Sequence, residues 1–259
     1  MSVTSAPGES SVNEVSNRSG GDPEPRTGTT DWQQYARFRG RIIHREPLAR
    51  HTHVFTLELP DGFRFTPGQG VQLTIDREGH REQKQPMFLT GLSHERRLEI
   101  FVHDDQADGS PNHTLVHDCP VGTRLLFSPA EDFVRYQSPG VFIAAGAGIA
   151  AFASILRHLN ATQQVDGHRL FLINDRREDV VLQAEWFRYL GPSVTSTLTE
   201  EEHRDFEHGT VDREWLEKRV DDFNQPFYVC GPPELTERLE ETIQDLGGEV
   251  QVIKWPGSK

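Results

Sequence analysis

From Gly140 onward the chain alternates short, wholly apolar runs with helical stretches, and that rhythm limits the folds open to it. Val141-Phe-Ile-Ala-Ala145 reads as a strand with no polar face, and a helical segment follows over 149–159. The pattern recurs with strands at 169–174, 193–198, 227–230 and 249–253, and helices at 182–190, 212–220 and 234–246. Strands that are apolar on both faces must be covered on both faces. This half is therefore predicted to be a set of βαβ units around a parallel sheet.

The half before Gly140 obeys a different period. Residues 37–44, 53–59, 70–75 and 97–102 alternate apolar and polar side chains, with turn signals at Pro60-Asp-Gly62 and Pro67-Gly68. Short alternating strands between such turns predict a small antiparallel barrel. The organisation expected is a disordered tail over 1–31, a β-barrel domain over 32–136 and an α/β domain over 137–259. The tail assignment rests on Ser, Gly, Pro and Thr, which bury too little apolar surface to offset the entropy of ordering.

Composition removes several functions. A net charge of −13 with no basic stripe leaves nothing to neutralise a phosphate backbone, so nucleic acid is not an expected partner. No apolar run approaches the roughly 20 residues that span a bilayer, so no membrane partner is expected. The amino terminus has no apolar core of a secretory signal, and a cytoplasmic location is expected. Two cysteines, Cys119 and Cys230, are too few for a disulfide framework, a zinc site or an iron–sulfur cluster. His113 and His117 have the i, i+4 spacing of a helical metal pair, with Asp104, Asp105 and Asp108 nearby. A polar surface is the simpler account of them, and no metal is expected.

Two motifs carry the chemistry. Gly146-Ala-Gly-Ile-Ala-Ala151 has the form G-x-G-x-x-A, directly after a predicted strand and at the start of a predicted helix. Glycines there let the backbone approach a pyrophosphate, and the helix start supplies N–H donors. A tight strand-to-helix turn would also use both glycines. Cys230-Gly-Pro-Pro233 ends a buried strand, on the side of an open α/β sheet where ligands bind. Asp175, at the end of the second α/β strand, can accept from a ribose 2′-hydroxyl and so favour NADH. Arg176 and Arg177 beside it can hold a 2′-phosphate and favour NADPH, or the three form a solvated turn.

The order Phe65-Thr-Pro-Gly-Gln69, Gly146–Ala151, Cys230–Pro233 resembles the ferredoxin–NADP reductase superfamily of flavin-dependent oxidoreductases, over about 35–255. The resemblance implies a barrel holding FAD or FMN and an α/β domain presenting NAD(P)H to the flavin. It implies an NAD(P)H-dependent flavin oxidoreductase whose electrons go to a separate acceptor: flavodoxin, ferredoxin or a small molecule. By the same resemblance Cys230 is the catalytic-centre residue, positioned beside the reacting nicotinamide carbon, with Gly231 and Pro232 in the cofactor turn. Trp255 stands where some relatives place an aromatic over the flavin, and terminal packing is the other reading.

The chain departs from the family at the flavin motif. Where relatives carry Arg-x-Tyr-(Ser or Thr), it has Gln85-Pro86-Met87-Phe88. Gln cannot give the bidentate, charge-assisted contact of Arg to phosphate, and Met is a poorer stacking platform than Tyr. Lys84 or Arg81 are the candidates to replace the lost charge. Ser110 matches the start of the helix that faces flavin phosphate in the family, although Pro111 interrupts that stretch. Ala150-Ala151 replaces the relatives' Thr-Pro. These changes leave a second expectation open, a flavin-free dinucleotide-binding, regulatory or structural module.

Overall fold

In the computed structural model the described residues are 37–253; the expected tail over 1–31 and Trp255 lie outside them. The alternating half forms strands β1 (Phe38–Ala49), β2 (Thr52–Glu58), β3 (Gln69–Ile75), β4 (Gln85–Phe88) and β5 (Arg97–His103). Helix α1 (Pro111–Asp118) and strands β6 (Arg124–Phe127) and β7 (Glu131–Asp132) follow. The strands run in the order β4-β3-β6-β1-β2-β5, with β7 beside β3. Every pairing in this sheet is antiparallel.

The expected barrel is only approached. Between the two end strands there is one bridge, Leu89 to Ile100, and the sheet stays open there. β4 is only four residues long, too short to continue a ladder along β5. Inside, Phe55, Leu57, Phe63, Leu73, Ile100 and Phe127 are all buried. Each such side chain contributes about 2 kcal/mol on leaving water.

Ser110 caps α1, its hydroxyl accepting from the His113 amide at 3.0 Å. Pro111 sits in the first helical turn, where a missing N–H costs nothing, so it starts the helix that the sequence suggested it would interrupt.

The second half is β8 (Val141–Ala145), α2 (Ala150–Ala161), β9 (Arg169–Asn174), α3 (Gln183–Leu190) and β10 (Val194–Leu198). It continues through β11 (Glu207–His208), α4 (Arg213–Glu217), β12 (Pro226–Cys230), α5 (Pro233–Asp245) and β13 (Glu249–Val252). All pairings are parallel, in the order β11-β10-β9-β8-β12-β13. The strand order reverses at β8, which puts a topological switch point between β8 and β12.

The two sheets share one core. Val54, Phe88, Phe101 and Val134 of the first half pack with Phe142, Ile149, Phe152 and Trp186 of the second. Arg157 of α2 spans the junction. Its guanidinium donates to Glu185 at 2.6 Å and to the Thr90 carbonyl at 2.9 Å, and it also pairs with Glu99. Burial works against this charge, yet the two carboxylates hold its pKa above the ordinary arginine value. A second clamp joins Arg50 to Asp179 at 2.9 Å and to Glu178 at 2.8 Å.

Candidate functional site

A cavity of about 780 Å³ opens at the carboxyl ends of β8, β9, β10 and β12. Ala145, Gly146 and Gly148 form one wall, Asn174, Asp175 and Thr199 another, and Gly231 and Pro232 a third. The antiparallel half closes it with His51, Thr52, His103 and Asn112. Its size is in the range of small-molecule and cofactor sites.

The two sequence motifs meet here. Gly146 has φ +53, a left-handed backbone that favours glycine, with open space where a side chain would stand. Gly148 is required for another reason. A Cβ there would lie 2.3 Å from the Cys230 carbonyl oxygen and 3.1 Å from the Gly231 nitrogen. The glycine loop and the Cys-Gly-Pro-Pro turn thus touch backbone to backbone, although Gly148 and Cys230 are 82 positions apart in the sequence. A short 3₁₀ turn over Gly146–Ile149 leads into α2, and no side chain caps that helix. The first amide of α2, Ala150, already donates to the Ala147 carbonyl, so the N–H groups offered to a ligand are those at the start of the 3₁₀ turn.

Cys230 itself is only 1% exposed and belongs to the shared core, while Gly231 and Pro232 line the cavity. Burial pushes its thiol up to about 12, so it is a neutral thiol at physiological pH. Asp175 lines the cavity and accepts from the Thr199 hydroxyl at 2.7 Å. Arg176 points its charge at Glu200, 3.6 Å away, and the Arg177 amide donates to Glu201. Neither arginine is among the residues that line the cavity, whereas Arg50 and Arg238 are.

The β4 residues lie elsewhere. Gln85, Met87 and Phe88 are buried, and none of the four, Pro86 included, lines the cavity. Met87 packs into the core of the antiparallel sheet. Phe88 faces the other way, into the shared core, with its ring 5.5 Å from that of Phe133 and edge-on to it. The Gln85 amide nitrogen is buried without a hydrogen-bond partner. Arg81 is turned toward Asp76 at 2.7 Å. Ser110 is already engaged, capping α1 and donating to Asp105 at 2.5 Å.

Several lining residues escaped the sequence reading: His51, Thr52, His103, Asn112, Thr199 and Arg238. The available signal was histidine placement. Positions 51, 53, 103, 113 and 117 hold five of the twelve histidines, and the β2–β5 pairing draws the first three together. Burial lowers the pKa of His53 and of His103, keeping both neutral.

Comparison with known proteins agrees with this geometry. Residues 142–241 match the oxidoreductase NAD-binding domain family. The chain is 30% identical over 226 residues to a flavohemoprotein of Bacillus thuringiensis subsp. konkukian, covering 78% of this chain and 56% of that protein. It is 23% identical over 223 residues to the electron transfer component of a 2-halobenzoate 1,2-dioxygenase from Burkholderia cepacia, covering 79% of this chain and 62% of that one. The chain thus spans less than two thirds of either relative.

Among solved structures, the FAD/NAD-binding domain of a Vibrio cholerae nitric oxide dioxygenase superposes with a TM-score of 0.71 at 18% identity, over 83% of this chain and 97% of that one. A ferredoxin NADP+ reductase from Neisseria gonorrhoeae, solved with FAD and NADP, gives 0.71 at 19% identity, with the same shares covered. The chain thus has the two-domain fold of these structures, and its residues 142–241 match the oxidoreductase NAD-binding domain family.

Proposed function

We propose that the chain binds a nicotinamide dinucleotide in the interdomain cavity and serves as an NAD(P)H-dependent oxidoreductase that hands electrons to a separate acceptor. A flavodoxin, a ferredoxin or a small molecule are the acceptors proposed. One observation carries the reading: the G-x-G-x-x-A loop and the Cys-Gly-Pro-Pro turn meet at the switch point of the parallel sheet, around a cavity of cofactor size. Gly146 leaves the backbone open to the pyrophosphate, Gly148 lets the two loops meet, and the N–H groups at the start of the 3₁₀ turn over Gly146–Ile149 donate to the phosphate. Gly231 and Pro232 bound the nicotinamide end. Cys230 acts as a buried positioning residue behind that turn, since a neutral, inaccessible thiol is no nucleophile.

Donor choice follows from which of the charges at the end of β9 faces the cavity. Asp175 does, and a carboxylate accepts from a ribose 2′-hydroxyl but repels a 2′-phosphate. Arg176 is directed to Glu200. The site is read as preferring NADH.

FAD is the family's other cofactor, and it supplies the step between hydride and single-electron chemistry when bound. The described residues of β4 do not fit it in the family's manner. Gln85, Met87 and Phe88 are packed into cores, and Ser110 is occupied beside the carboxylate of Asp105. That favours a second reading, a dinucleotide-binding module without flavin. The absorption spectrum of the purified protein separates the two: a flavin band bleached by NADH supports the reductase. A colourless protein that still gives heat with NADH supports the module. Silence with both NADH and NADPH contradicts dinucleotide binding altogether.

A further inference from the structure

We propose that Asp104, His113 and His117 form a binding site for a divalent transition metal of the zinc class, with its fourth position open to water or an anionic ligand. The histidines project from successive turns of α1, and Asp104 follows β5 directly. Nδ1 of His113 lies 2.9 Å from one carboxylate oxygen of Asp104, and Nε2 of His117 lies 2.8 Å from the other. One ligand atom from each residue falls within 4.8 Å of the other two.

The arrangement has the features of a built site. The Asp104 side chain is only 9% exposed and is fixed from behind by the Gln106 amide, which donates to it at 2.9 Å. An outer-shell contact of that kind orients a metal-binding carboxylate. The two imidazole rings sit 4.2 Å apart, and Nδ1 of one and Nε2 of the other both face the Asp104 carboxylate. Around an ion bound at about 2.0–2.2 Å, ligand atoms stand about 3.3 Å apart, so the two contacts to the carboxylate lengthen by roughly half an ångström. The ring nitrogens, within 4.8 Å of each other, close to the same spacing. On binding, the ring nitrogen that faces the ion gives up its proton to the other ring nitrogen or to solvent, so a lone pair faces the ion. His117 is half exposed, which leaves one side of the ion to solvent. Two imidazoles and a carboxylate select a borderline ion over calcium or magnesium.

A polar surface network, the simpler account from sequence, does not require three donors to converge. Next to the site His53, on β2, has a buried Nδ1 with no hydrogen-bond partner, a further imidazole on the same side. The proposed site is separate from the glycine loops of the cavity, although Asn112, adjacent to His113, lines it.

The test is titration of the EDTA-treated full chain with Co2+, followed by displacement with Zn2+. The expected result is one Co2+ per chain with visible bands of a low-coordinate ion, lost on adding Zn2+. His113→Gln and His117→Gln should each weaken uptake about 100-fold, the upper end for disturbed metal sites. His203→Gln, on the other half, should leave it unchanged. His117 is half exposed, so its variant tests the site even if a change at Asp104 disturbs folding. Absence of saturable uptake, or uptake that neither histidine variant reduces, overturns the proposal.

Discussion

The carboxyl edge of the parallel sheet and strand β4 of the antiparallel sheet occupy matching roles in this fold, and they treat their surfaces in opposite ways. At the parallel edge, glycines withdraw side chains so that backbone faces a cavity of about 780 Å³. On β4, the side chains of Gln85, Met87 and Phe88 are turned into cores. One half keeps a ligand surface at the cost of packing, and the other gains packing at the cost of a ligand surface. Sites and cores compete for the same residues, and here the two halves have settled that competition differently.

The largest expected effect tests whether the halves are one unit. Arg157→Met leaves the partly buried Glu99 and Glu185 without their cation, and should cost about 4 kcal/mol in denaturant unfolding. Two separate unfolding transitions in that variant would show that the halves stand apart once the clamp is gone. A change at β4 attacks the packing side of the comparison. Phe88→Ala removes a ring from the shared core and should cost about 3 kcal/mol by the same measurement. An unchanged midpoint would mean that β4 is not packed as described.

On the ligand side, Gly148→Ala drives a methyl group into the Cys230 carbonyl. It should cost about 2 kcal/mol and abolish heat with NADH in calorimetry. Asp175→Asn should weaken NADH about tenfold while NADPH is unaffected or improved. Equal losses for both nucleotides would place Asp175 outside the ribose site. The smallest effect concerns Cys230. Its pKa is raised above the unfolded value, so the thiolate needed for alkylation is scarce at pH 8 in the native protein and present once unfolded. Alkylation monitored by mass should therefore label Cys230 only in denaturant; rapid native labelling would put it on the cavity wall.

The parallel half was legible because buried strands and glycine turns are local signals. Val141–Ala145 and Arg169–Asn174 are where the apolar runs placed them. β1 continues to Ala49, through Pro47, because its ends pair with different neighbours, and no local pattern encodes that. The rewriting of β4 could be read as a loss of anchors, but not where the replaced side chains would go. Burial of Met87 and Phe88 on opposite faces depends on partners distant in sequence, Val71 and Phe133. The convergence of Asp104 with His113 and His117 was hidden similarly. The i, i+4 spacing marks two of the three, and only the path from β5 into α1 brings the carboxylate to them.

The central claim is that the glycine loop and the Cys-Gly-Pro-Pro turn form the dinucleotide site of an oxidoreductase. Calorimetric titration of the purified chain with NADH, followed alongside by its absorption spectrum, tests it directly. The account predicts saturable one-to-one binding of NADH, and a bound flavin whose absorption band NADH bleaches. Absence of saturable heat from NADH would contradict it.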